Sequence, residues 1–147
     1  MIRRLEKRDI IHCVEIVTEN WGTAAALDFH DEVKHAFRPG MKWPPEYFVF
    51  EHATNGKTVG FAGMMHSWVM HGVWDLIWIN VAKNYQGLGI GKQLTEHRIH
   101  EIDRQKGAVI NLMTKEVQFF HKFGFEELKE YDGGWSFMTM QLRKLKI

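Results

Sequence analysis

Three groups of residues in this 147-residue chain have the types and spacing for chemistry. The first is the run Gln86-Gly87-Leu88-Gly89-Ile90-Gly91-Lys92, with glycine at every second position. Glycines let a ligand approach the backbone closely, and the free N–H groups at a helix start converge on one point. The helix dipole adds positive potential there and Lys92 adds a mobile charge, so the natural guest is a phosphate or pyrophosphate. The second is Asp75, the one acid within the apolar run Val73 to Val81. Strand alternation puts it on the face that carries Ile77, Ile79 and Val81, and burial would raise its pKa toward that of a useful base. The third is His66, histidine being the side-chain type most often used as a base at physiological pH. Plainer uses compete with both: Asp75 lies close enough to the His71-Gly72 turn to meet solvent, and His66 can serve as a half-buried, hydrogen-bonded histidine.

The glycine run has three phosphate-binding readings. A P-loop requires glycine five residues before Gly91, where Gln86 stands, and Ser or Thr after the lysine, where Gln93 stands. A dinucleotide fingerprint requires GxGxxG after an opening parallel βαβ unit, whereas Gly87, Gly89 and Gly91 give GxGxG. The third is a loop for the pyrophosphate of acetyl-CoA. A plain glycine-rich turn is the remaining alternative.

The surrounding sequence supplies elements that can position these groups. Ile2 to Leu5 reads as a short edge strand and Lys7 to Glu19 as a helix, with Asp9 as N-cap and Ile10, Cys13, Val14 and Val17 on one apolar face. Ala26 to Phe37 reads as a second helix, followed by an extended loop through Pro44-Pro45. Then the period becomes strand-like: Tyr47 to Glu51, the Asn55-Gly56 turn, Thr58 to Val69, and the nearly all-apolar Val73 to Val81. The glycine run opens a helix to about Lys106, with Gly107 as its stop. Val109 to Met113 is a buried strand, Thr114 caps a short helix over Lys115 to Phe123, and Gly124 takes its left-handed end. Glu126 to Tyr131 and Trp135 to Leu142 close the chain as a hairpin. The order β-α-α-β-β-β-α-β-α-β-β predicts one α/β (α+β) domain over residues 1–147: a mixed, mostly antiparallel sheet of about seven strands, with about four helices on its two faces.

Ile79-Asn80-Val81, a short spacer and Tyr85-Gln86-Gly87-Leu88-Gly89-Ile90-Gly91-Lys92-Gln93-Leu94 resemble the central motif of the GNAT superfamily of N-acetyltransferases. Thirty residues on, Phe119-Phe120-His121-Lys122-Phe123-Gly124-Phe125 resembles its second signature, F-Y-x-K-x-G-F. The likeness covers roughly residues 58 to 142. It implies a fold whose central strands splay apart around the cofactor. The backbone of Ile79, Asn80 and Val81 would pair with the pantetheine arm. The loop Gln86, Gly87, Leu88, Gly89, Ile90, Gly91 and Lys92 would hold the pyrophosphate, chiefly through its N–H groups, and Phe119 and Phe120 would line the thioester end. It also implies an acid at the strand position of Asp75 as general base; His66, on the preceding strand, is the second candidate on its residue type alone. The family's tyrosine on the short helix falls at Phe120, which has no proton to give; water, Tyr131 or His121 would then protonate the departing thiolate, or no acid is needed.

Composition narrows the partners. Net charge is +1 with scattered basic residues, which argues against nucleic acid. No segment has the ~18 to 20 apolar residues of a membrane span. The lone Cys13 excludes an internal disulfide and a cysteine-based metal site, and suits a reducing, cytoplasmic setting. His97 and His100, three apart on the long helix, fall beside Glu96, Asp103 and Arg104 on a solvated face, so no metal is expected. Arg98 and Thr95 fall on the inward side of that helix. The aromatic first third, with Trp21, Phe29, Phe37, Trp43 and Tyr47, fits an acceptor pocket, core packing or the interface of a homodimer. The expected activity is transfer of acetyl from acetyl-CoA to a small-molecule or peptide amine. The alternative is a non-catalytic module that binds CoA or acyl-CoA as a sensor or assembly element.

Overall fold

The computed structural model describes residues 1–146. Seven strands form one sheet: β1 (Ile2–Arg4), β2 (Glu46–Glu51), β3 (Thr58–His66), β4 (Val73–Val81), β5 (Val109–Thr114), β6 (Glu126–Glu130) and β7 (Ser136–Gln141). The helices are α1 (Ile10–Trp21), α2 (Thr23–Val33), α3 (Ile90–Arg104) and the short α4 (Val117–His121). The strand order is β1-β2-β3-β4-β5-β7-β6. Every pairing is antiparallel except β4 with β5. That junction is where the sheet comes apart, because β4 and β5 pair only over Val73–Asp75 and Val109–Asn111.

Each face of the sheet carries its own core. On one, Cys13 and Val17 of α1 and Phe29 and Val33 of α2 pack on Tyr47, Val49 and Phe61. On the other, Leu94 and Ile102 of α3 pack with Met64, Trp74, Leu76, Ile110 and Met138. This accounts for the apolar character of β4, which is covered from both sides.

The element order and sheet type match the sequence expectation, with local corrections. Asp9 does not cap α1 through its side chain. Its carboxylate turns back to accept the Glu6 N–H at 2.7 Å and two bonds from the Arg3 guanidinium at 2.7 and 2.8 Å. The second helix starts three residues early, at Thr23, and its last turn tightens to a 3₁₀ turn over Lys34–Phe37. β3 stops at His66, leaving Trp68, Val69 and Met70 exposed in the turn. Thr114 ends β5, and its hydroxyl accepts the Glu116 N–H at 2.8 Å ahead of α4.

The end of α3 differs most. The left-handed residue there is Lys106, with φ 65°, and not Gly107. Gly107 is required by packing: a Cβ at this position would collide with Ile102 and come within 2.8 Å of the Trp74 ring.

A second difference lies inside β4. Gly63 pairs with Ile77 but Phe61 pairs with Asn80, so Ala62 of β3 is opposed by two residues, Trp78 and Ile79. This is a β-bulge, and Trp78 takes it in the left-handed region at φ 49°. The bulge reverses the alternation. Ile77 packs with the α1–α2 core, while Ile79 and Val81 pack with the α3 core. Asp75 therefore shares its face with Ile77 but not with Ile79 or Val81. Trp78, which unbroken alternation would put on the face opposite Asp75, joins Phe29 on the α1–α2 side, where its indole N–H donates to Glu32 at 2.7 Å.

Candidate active site

The glycine run leaves β4 through a 3₁₀ turn at Lys83–Tyr85 and enters α3 at Ile90. Gly87 and Gly89 have φ of 78° and 83°, a region that side chains rarely adopt, and a Cβ on either would meet nothing within 4 Å. Glycine is needed here for the backbone path and not for packing. Among the described residues, no backbone N–H from Gly87 to Lys92 donates to a carbonyl of the chain, and the first bond of the helix runs from the Gln93 N–H to the Gly89 oxygen at 3.0 Å. The loop thus presents a series of unmatched donors to open space at the positive end of a 15-residue helix. Leu88 is exposed, as is Lys92, whose ammonium lies 3.9 Å from Glu96. Ile90 is buried beneath the loop.

Gln86 does not face the loop opening. Its side-chain amide donates to the Val81 carbonyl at 3.0 Å and tightens the exit from β4. Two residues at the end of α1 also reach this strand. Asn20 donates to Val81 O at 3.0 Å and to the Asn80 side chain at 3.1 Å, and the Trp21 indole N–H donates to the same Asn80 oxygen at 2.9 Å. Asn80 is buried with its side-chain oxygen held by two donors, and the Val81 carbonyl is already taken. Ile79 lies on the α3 side close to Gly91 and the Phe119 ring; a Cβ on Gly91 would sit 3.7 Å from Phe119 and 3.9 Å from Ile79. Phe120 is turned away into the core against Phe125 and is 5% exposed. Of the two phenylalanines, Phe119 is the one beside the loop.

Asp75 lies in the last row of pairing before the sheet opens, between Met65 of β3 and Asn111 of β5. Asn111 in turn pairs with Thr139 of β7, whose hydroxyl donates to its side chain at 2.7 Å. Among the described residues Asp75 has no hydrogen-bond or ion-pair partner, and burial raises its carboxyl pKa above the ordinary value. His66 sits elsewhere. It pairs with Trp74 and lies among Trp43, His71 and Trp74. One ring nitrogen accepts the Gly72 N–H at 3.0 Å and the other meets the Ser67 carbonyl at 2.7 Å, which fixes a neutral tautomer as part of the β3–β4 turn. His66 also borders a cavity of about 430 Å³ lined by Trp43, Trp74 and Lys106. That cavity lies at the C-terminal end of α3, roughly 22 Å along the helix from the glycine loop.

Two tryptophans meet across the open end of the cleft. Trp21 from the α1–α2 junction and Trp135 from the β6–β7 turn have ring centroids 6.4 Å apart and planes at 28°. Both are exposed, and the Lys115 ammonium lies 5.3 Å from the Trp135 ring. Trp135 had no sequence signal beyond its type, because the contact joins residues more than a hundred apart. Of the other early aromatics, Phe29 and Tyr47 are core and Trp43 stacks on His66.

A helix N-terminus with free donors, next to a parted pair of parallel strands, is a place for a phosphate-bearing ligand with a long arm. A family profile described as acetyltransferase (GNAT) domain matches residues 44–127. The chain belongs to the GNAT family of acetyltransferases. Its fold is similar to that of a putative GNAT acetyltransferase from Desulfovibrio desulfuricans, with TM-score 0.80 and 19% identity over 97% of this chain and 98% of that one. A ribosomal-protein-alanine N-acetyltransferase from Brucella melitensis aligns with TM-score 0.75 and 22% identity over 97% and 99% of the two chains. A Mycobacterium tuberculosis protein solved in complex with CoA aligns with TM-score 0.75 and 16% identity over 97% and 99%. No curated protein sequence matches this one. Among the described residues no three His, Cys, Asp or Glu side chains gather as a metal site, and no helix is long and apolar enough to cross a membrane.

Proposed function

We propose that this GNAT protein transfers an acetyl group from acetyl-CoA to a primary amine by direct attack on the thioester, with Asp75 as general base. The observation that carries the reading is the row of unmatched N–H groups from Gly87 to Lys92 beside the parting of β4 and β5. These donors would take the pyrophosphate, and the arm would run along Ile79 and Asn80 past Phe119. Gly91, packed 3.7 Å from Phe119 at the would-be Cβ, fixes the floor of that path.

The two faces of the sheet divide the labour. The α3 side holds the donor, and Asp75 faces the opposite, α1–α2 side, from which an amine would approach. An amine must be neutral to attack, and a half-buried carboxylate without a competing partner is suited to take its proton. The N–C bond forms as the C–S bond breaks; the amine proton passes to Asp75 and then to solvent, and the CoA thiolate takes a proton from water. His66, with both ring nitrogens engaged by backbone, serves the β3–β4 turn in this scheme. The acceptor is a small molecule or a peptide amine; the structurally similar Brucella melitensis protein is named for a ribosomal-protein alanine, which is one amine of the peptide class.

The test is thermal unfolding with acetyl-CoA. A ligand at a hundredfold its Kd stabilises by about 2.7 kcal/mol, which is several degrees for a chain of this size. Gly89→Glu should abolish the shift measured from its own baseline, and no shift at millimolar acetyl-CoA in the wild type refutes the reading. One feature favours a second reading, a non-catalytic CoA-binding module: the buried Phe120 stands where the family's tyrosine would. Release of free CoA on incubation with acetyl-CoA and a mixed amine library separates the two, since a binder releases none.

A further inference from the structure

Arg98 is the largest side chain with no solvent exposure at all. Periodicity places it on the inner side of α3, where an arginine can either snorkel outward or approach the cofactor; snorkelling would bring its head to water. It does not snorkel. Its Nη1 donates to the Gly63 carbonyl of β3 at 2.9 Å and to the Ile77 carbonyl of β4 at 3.4 Å. Nε donates to Leu94 O at 3.2 Å and Nη2 to the Thr95 hydroxyl at 3.4 Å. That hydroxyl is itself anchored on the Gly91 carbonyl at 2.8 Å. Among the described residues no carboxylate lies within ion-pair distance of it. A buried cation without a counter-charge is expensive, and burial lowers the pKa of this one to about 9.

The location of its acceptors gives this feature a use. Gly63 and Ile77 are the paired residues that flank the bulge, immediately before the two-against-one stretch of Trp78 and Ile79. A tryptophan at φ 49° is strained, and such a conformation persists only where its surroundings impose it. The chain of contacts also runs from the bulge, through Arg98 and Thr95, to Gly91 in the first turn of α3. We propose that Arg98 is a positioning residue for acyl transfer: it pins the β4 bulge from the α3 side, so holding the cleft open at the height of the thioester, and its uncompensated positive charge favours the negative charge that develops on the thioester oxygen. The inference rests on the acetyl-transfer reading above. Fixed charge in a dry site acts without reorganisation at the moment of reaction. The titratable groups around it do not cancel this charge. His97, beside it on α3, is lowered by burial first, with Glu101 pulling the other way and Arg4 and Arg98 adding to the fall; Glu101, one turn on, is bonded to Arg104; and the Tyr47 hydroxyl, across β3, is pushed above its usual range by burial.

The experiment measures acetyl-CoA affinity, kcat and acceptor KM in Arg98→Met and Arg98→Lys, with the wild type establishing that transfer occurs. Arg98→Met should keep its acetyl-CoA Kd within about threefold and lose about 10²-fold in kcat, the scale of a small misplacement at the reacting centre. Arg98→Lys supplies the readout that a space-filling role would not move. A buried ammonium gives up its proton far more readily than a guanidinium, so this variant should approach wild-type kcat at pH 6.5 and lose it by pH 8.5 while remaining folded. If Arg98→Met fails to fold, the lysine profile alone decides. Wild-type kcat in Arg98→Met, or a pH profile of Arg98→Lys parallel to the wild type, overturns the proposal and leaves the acetyl-transfer reading intact. Absence of transfer by the wild-type protein would instead refute that reading itself.

Discussion

Replacing Asp75 by asparagine separates catalysis from stability in opposite directions. The carboxyl sits between Met65 and Asn111 with no hydrogen-bond or ion-pair partner among the described residues, and burial is the sole cause of its raised pKa. Its folded pKa lies above the unfolded value, so folding disfavours the charged form. The ionised carboxylate therefore costs stability at pH values above the folded pKa, and the cost disappears as pH falls through it. Asparagine has the same shape and never ionises. Asp75→Asn should unfold at a higher temperature than wild type at pH 8, and the two melting temperatures should converge on acidification. Activity should move the other way. Loss of a positioned base typically costs 10²–10⁴-fold, or about 2.7–5.5 kcal/mol of barrier. Acetyl-CoA affinity should be unchanged, because the loop donors lie beyond the far end of β4. A colorimetric thiol assay across pH 6 to 9, run with two acceptors of different amine pKa, distinguishes the carboxyl's limb from that of the amine. Unchanged turnover over that range removes Asp75 as base. A lower melting temperature at pH 8 would show that its carboxylate is stabilised by its surroundings, contrary to the argument from burial.

Three further perturbations test the frame around the site. Gly107→Ala forces a Cβ against Ile102 and to within 2.8 Å of Trp74; overpacking of this kind costs about 1–3 kcal/mol, and urea unfolding should show a lower midpoint at unchanged slope. Asp9→Asn should remove acid sensitivity. Burial raises the Asp9 carboxyl, but the Arg3 guanidinium and the Glu6 N–H outweigh it and hold the pKa below the usual range, so its stabilisation is present above the unfolded pKa and lost as pH falls through the folded one. Wild type should lose melting temperature on descending below about pH 4, with a shallower slope in the variant. Trp21→Ala and Trp135→Ala remove the two exposed rings that meet over the cleft. Each should raise KM for an apolar amine several-fold, with little change for acetyl-CoA in Trp135→Ala; equal KM values in both variants and wild type would remove the pair from the acceptor path.

The elements that the sequence made legible are those whose cause is local. The glycine run announces a left-handed path at Gly87 and Gly89, and Gly124 likewise ends the turn after α4 at φ 101°, because only glycine takes such angles without cost. The apolar run Val73 to Val81 is a strand with the predicted ends, and the 3.6-residue period holds along α3, where Arg98 and Thr95 do point inward. The failures share a different cause. Gly107 looks like a helix stop, but its small size answers to Trp74, thirty-three positions earlier in the chain, while an ordinary lysine takes the left-handed turn. Trp78 is a residue that β-propensity would keep in regular strand, yet it carries the bulge that transfers Ile79 and Val81 to the other face from Asp75. Nothing near Trp78 in sequence requires this. The groups that grip the carbonyls beside it belong to Arg98, twenty-one residues beyond Ile77 and on another element. The two features that periodicity could not interpret, an inward arginine and a tryptophan strand residue, are thus one structural device. Its position is between the base candidate Asp75 and the glycine loop along β4, and it begins just past Asp75–Asn111, the last pair that β4 makes with β5.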